Sequence, residues 1–133
     1  MVNILIKTFW VGLGGFLGAN ARYWLGGWVA ERYGTQFPWG TFVINVSGSF
    51  ILGLILTLIS ERFITASYWR LLVPIGFVGA YTTFSTFEYE TFALAEHGAL
   101  WRALANVIFS VLVGFLAVWC GAKLAQHPLS FKF

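Results

Sequence analysis

The polar residues of this chain sit at helical spacing inside apolar stretches, and most of them are neutral. Thr41, Asn45, Ser49 and Gly53 recur at intervals of four, as do Asn106, Ser110 and Gly114. On a helix each set forms one stripe of hydrogen-bonding groups. Such a stripe serves either interhelical hydrogen bonding, worth about 1 kcal/mol or less per pair in a membrane, or the wall of a path for a polar solute. Two donor-rich, uncharged stripes in one short chain point towards the path.

A third feature is the segment Gly76-Phe77-Val78-Gly79-Ala80-Tyr81-Thr82-Thr83-Phe84-Ser85-Thr86-Phe87, which follows Pro74 and holds two glycines and four serine or threonine side chains. This composition predicts a broken helix. Non-helical backbone at membrane depth is tolerated only beside protein or a water-filled cavity, and the groups it frees can coordinate ions. Phe84 and Phe87 are three apart and share a helical face. Their ring edges carry the positive part of the aromatic quadrupole and could touch a small anion weakly.

Gly14, Gly18 and Arg22 lie four apart, as do Gly15, Ala19 and Tyr23. The glycines read as close helix packing. Arg22 either snorkels to the interface or draws an anion into a vestibule. The chemistry of enzymes is missing from the sequence. Cys120 is the single cysteine, His97 and His127 lack metal-ligand spacing, and no nucleotide-binding loop is present. The eight basic residues are scattered singly, which argues against nucleic acid despite a net charge of +3.

The elements that carry these groups must cross a membrane. Of the 133 residues 59% are hydrophobic and only 10% charged, against about a quarter charged in a soluble domain. Uncharged gaps cover residues 8–21, 33–60, 71–87 and 103–122. A crossing needs roughly 20 mainly apolar residues. The second and fourth gaps suffice. The first must run past Arg22 to about Val29, and the third through Glu88 and Glu90 towards Ala95. The expected architecture is one four-helix membrane domain over 1–133, all-α, with spans near 4–29, 37–60, 70–95 and 102–124. Trp24, Trp28, Trp39, Trp69 and Trp101 fall near the span ends, where such rings prefer the headgroups. The stretch from Lys7 to Ala19-Asn20-Ala21 has the outline of a signal peptide, but its glycine richness reads better as a span.

With four spans, Lys7, Arg62, Arg70, Lys123 and Lys132 share one side of the bilayer. Arg32 and Arg102 take the other, with Arg22 as a third if it reaches that far. So weak a positive-inside bias specifies orientation poorly, and the chain could insert both ways.

Three pieces of sequence together resemble the Fluc or CrcB-type fluoride channels. They are Gly14-Gly15-Phe16-Leu17-Gly18-Ala19-Asn20-Ala21-Arg22-Tyr23, Gly40-Thr41-Phe42-Val43-Ile44-Asn45-Val46-Ser47-Gly48-Ser49-Phe50, and the segment from Gly76 to Phe87. The resemblance covers essentially all four spans, and the third piece is its most specific part. It implies a fluoride-selective channel that passively exports fluoride across the cytoplasmic (inner) membrane of a microbe. It also implies a dual-topology antiparallel homodimer with pores at the subunit interface. A structural sodium ion at the dimer interface would be held by backbone carbonyls, mapping onto Gly79 and Thr82. The fluoride pathway maps onto Asn45, Phe84 and Phe87, with Thr41 and Ser110 along it and Arg22 near the entrance. The family's acidic residue corresponds to Glu90, with Glu88 as the alternative. Ala80 and Asn106 depart from the pattern, standing where a second glycine and a tyrosine occur in other members.

Two other functions fit the residues less well. A proton-coupled four-span transporter needs a titrating carboxylate deep in the membrane, and only Glu88 and Glu90 are candidates. A non-transporting assembly subunit would use the small-residue faces alone.

Overall fold

The computed structural model describes residues 2–61 and 67–126, all of whose regular elements are helical. Arg62, His127 and Lys132 lie outside the described residues. Helix α1 is Val2–Tyr33 and α2 is Trp39–Glu61. A third helical element, α3, occupies residues 67–81. It opens as Ser67–Arg70, widens into a π-helix over Leu71–Val78 and closes as Gly79–Tyr81. Helix α4 is Phe84–Glu96 and α5 is Leu100–Gln126.

Three of these, α1, α2 and α5, are long and apolar enough to cross a bilayer by themselves. At about 1.5 Å rise per residue, the 32 residues of α1 exceed the roughly 30 Å of a hydrocarbon core. Elements α3 and α4 are each too short and follow one another across a break. Apolar side chains point outward throughout. On α5 alone Phe109, Val111, Leu112, Phe115, Leu116 and Trp119 are all more than half exposed. A monomer in water does not carry apolar patches of that extent. The fold is therefore that of an all-helical membrane protein.

Packing follows the small residues. The π-helical turn contains Pro74, whose ring and missing N–H disfavour an ordinary α-turn; the wider turn accommodates it. This segment lies along α1. A Cβ on Gly14 would overlap the Leu72 carbonyl, and one on Gly18 would overlap the Phe77 carbonyl. Gly14 and Gly18 thus let two backbones touch, as the four-residue spacing predicts. Gly15 belongs to a different surface, with nothing within 4 Å of its added Cβ. Likewise α2 lies along α5, with Gly53 against the Val118 carbonyl and Gly121 against the Phe50 carbonyl.

Candidate functional site

The helix stops at Thr82 and restarts at Phe84. Thr82 (φ −78°, ψ 157°) and Thr83 (φ −149°, ψ 117°) are both extended. Their backbone groups find side-chain partners. The Thr83 amide donates to Asn45 Oδ1 at 2.8 Å, and Asn45 Nδ2 donates to the Thr83 carbonyl at 3.0 Å. Thr83 also caps α4, its Oγ1 accepting from the Thr86 amide at 3.3 Å and donating to Thr86 Oγ1 at 3.0 Å. Upstream, the Thr82 amide and hydroxyl both donate to the Val78 carbonyl.

These bonds release particular carbonyls. An α-turn onto the Gly79 carbonyl would use the Thr83 amide, which is committed to Asn45. One onto the Thr82 carbonyl would use the Thr86 amide, which is committed to Thr83 Oγ1. Gly79 is exposed on the surface of the chain.

The α2 stripe divides its labour. Thr41 is buried and donates to Glu90 Oε1 at 2.9 Å. Asn45 clamps the break. Ser49 lines a cavity of about 220 Å³ with Asn45, Thr82, Thr83 and Phe84. Gly53 packs on α5. Off this stripe but also on α2, the Ser47 hydroxyl meets that of Tyr81 at 2.7 Å, and the Tyr81 ring stacks on Phe77 with centroids 5.5 Å apart.

A larger cavity, about 710 Å³, opens beside the α1–α2 turn, with Arg22, Thr41, Thr83, Thr86, Glu90 and Arg102 among its walls. Glu90 Oε2 is buried there with no hydrogen-bond partner among the described residues. Arg22, half-buried, faces this space. Phe84 is 74% exposed whereas Phe87 is buried; their centroids are 5.9 Å apart at 41°.

The predicted pathway residues therefore fall into groups. Arg22 and Thr41 line the larger cavity, Asn45 and Phe84 the smaller, and Phe87 lies under the surface next to Phe84. Ser110 stands apart from both cavities, donating to Asn106 Oδ1 at 3.3 Å. Sequence reasoning passed over Thr91, which accepts from Asn106 Nδ2 at 2.8 Å. Its position four residues after Phe87, on the same helical face, was the available signal. Among the described residues no His, Cys, Asp and Glu cluster could hold a metal ion. The histidine ring of His97 contacts the Ala93 carbonyl at 2.6 Å.

Apolar helices around a broken element, whose extended Thr83 backbone is answered by the half-buried amide of Asn45, define a class, the multi-pass all-helical membrane proteins that handle polar solutes. The family described as "CrcB-like protein, Camphor Resistance (CrcB)" matches residues 9–122. The chain belongs to this family. It is 53% identical over 116 residues to the "Fluoride-specific ion channel FluC" of Acidobacterium capsulatum, covering 87% of this chain and 93% of that one. To the protein of the same name from Solibacter usitatus it is 50% identical over 122 residues, covering 92% of this chain and all of the relative.

Proposed function

We propose that this protein is a fluoride-selective channel that lets fluoride leave the cytoplasm passively across the inner membrane, and that it is not an enzyme. The observation that carries this reading is the helix break at Thr82–Thr83, locked by Asn45 beside the Phe84–Phe87 pair. Relatives at 53% and 50% identity named as fluoride-specific ion channels support it.

Fluoride is small and strongly hydrated, so a pore must replace its water without trapping it. Conduction requires binding strong enough to admit the ion and weak enough to release it. Neutral donors and aromatic edges meet that condition better than a buried cation. Arg22 would raise the anion concentration in the larger cavity. Thr41 and Ser110 would line the path, each becoming a donor to the anion only by turning its single hydroxyl proton away from Glu90 or Asn106, and Phe84 and Phe87 would offer ring edges. Asn45 has one amide hydrogen beyond the one spent on Thr83, because a primary amide carries two, and that hydrogen is the donor left for an anion.

The active unit would be a homodimer of oppositely inserted subunits. Phe84 and Gly79 are exposed on the single chain, as groups at a shared interface would be, and the weak charge bias permits both orientations. Sodium fits the break. Its donors would be the Gly79 and Thr82 carbonyls, the two whose α-helical amides are diverted to side chains, and hard cations prefer oxygen ligands. Two carbonyls per chain are too few for a complete shell, so a second copy would supply the rest. Bound there, the ion would contribute a fixed positive charge and tie the subunits together.

The test is fluoride efflux from liposomes containing only this protein, read by a fluoride electrode beside a chloride control and a Phe84→Ile variant. Fast fluoride release without chloride, lost in the variant, is expected. No release from a folded, dimeric sample would overturn the reading.

A further inference from the structure

We infer that Thr91 is a positioning residue for Phe87, acting through a hydrogen-bonded relay that runs from Ser110 on α5 through Asn106 and Thr91 to the Phe87 carbonyl; the inference rests on the fluoride-channel reading. Helix α4, which carries the phenylalanine pair, has Phe87 as its one buried residue. Polar anchors hold it in place. Asn45 and Thr41 reach it from α2, at its N-cap Thr83 and at Glu90, and Asn106 reaches it from α5, at Thr91.

Thr91 makes two bonds at once. Its hydroxyl donates to the Phe87 carbonyl at 2.7 Å and accepts from Asn106 Nδ2 at 2.8 Å. A threonine bonding back to the carbonyl four residues earlier is by itself a local feature that bends a helix slightly. Here the same oxygen joins that turn to a second helix. Asn106 is 1% exposed, so its amide has no water to replace a lost partner. The proton direction is uniform, Ser110 to Asn106 to Thr91 to Phe87, an arrangement in which each bond polarises the next.

The relay ties the backbone under one ring of the pair to the polar wall on α5. Its longest link, 3.3 Å, is at Ser110, the half-buried end. The hydroxyl proton of Ser110 is directed at Asn106, so an anion can take it only by opening that link. The junction is thereby placed to set both the angle of Phe87 and the readiness of Ser110 to donate.

Purified wild type, Thr91→Val, Thr91→Ser, Asn106→Leu and the Thr91→Val/Asn106→Leu pair would be compared for fluoride efflux from liposomes, fluoride over chloride selectivity, and elution as folded protein. Valine keeps the shape and removes the hydroxyl; serine keeps the hydroxyl. Thr91→Val is expected to lower fluoride efflux roughly tenfold and to reduce selectivity, with the double variant no worse than the worse single. Thr91→Ser should stay within about twofold of wild type. Wild-type rate and selectivity in Thr91→Val, equal loss in Thr91→Ser, or additive losses in the pair would overturn the inference. A wild type that releases no fluoride would instead sink the channel reading itself.

Discussion

Asn45 and Thr83, 38 residues apart in sequence, exchange two hydrogen bonds, amide to backbone in both directions, at 2.8 and 3.0 Å. A side-chain amide here takes the place of the neighbouring strand or helical turn that an extended residue otherwise needs. The arrangement satisfies both backbone groups of Thr83 where the helix stops, which a low-dielectric interior otherwise makes costly.

Asn45→Leu should therefore unfasten the break rather than merely remove an anion contact. An unpartnered buried donor or acceptor costs about 1–3 kcal/mol, and this substitution leaves one of each on Thr83. A lower thermal midpoint in detergent, together with loss of fluoride efflux, is expected. Unchanged stability would show that the clamp does not hold the break.

The glycines of α1 divide sharply. Gly18→Ala should disrupt folding, because the new Cβ would overlap the Phe77 carbonyl, which is backbone and cannot move aside cheaply. Gly12→Ala meets nothing within 4 Å and gains up to about 1 kcal/mol of helix propensity. Yield and thermal midpoint of the two proteins measure the contrast, and equal behaviour would refute the packing described for α1.

Thr41→Val strips Glu90 of its one hydrogen-bond partner among the described residues. The loss should destabilise the protein by about 1–3 kcal/mol, while Thr41→Ser retains most of the stability. Chemical denaturation in detergent reads both, and a valine variant as stable as the serine one would remove Thr41 from the account.

Arg22→Gln should slow fluoride efflux far more in dilute buffer than in concentrated salt, because the screening length falls from about 30 Å at 0.01 M to about 3 Å at 1 M. Arg102, on the exposed rim of the same cavity, should give a smaller effect in the same assay. A salt-independent loss at Arg22 would mean that it packs rather than attracts.

Removing sodium should weaken the dimer if the Gly79 and Thr82 carbonyls hold it. The oligomeric state in sodium against a large organic cation is the readout. A dimer indifferent to the exchange would exclude a structural role for the ion.

The sequence by itself determined the membrane character and the site of the interruption. Each is encoded locally, in charge-free runs, in the four-residue spacing of Gly14 and Gly18, and in the clustered glycines and hydroxyls after Pro74. The stripes on α2 and α5 were also legible, because helical periodicity brings Thr41, Asn45, Asn106 and Ser110 onto their faces. What each polar group bonds to was decided only by the tertiary structure. Nothing in the spacing distinguishes Asn45 as a clamp from Asn45 as a free donor, or selects Thr91 over the other hydroxyls as the partner of Asn106. Those choices depend on the relative height and rotation of separate helices, set by backbone contacts such as Gly14 on Leu72 and Gly53 on Val118. A shift of one helical turn would leave every stripe in the sequence intact and give each of its members a different partner.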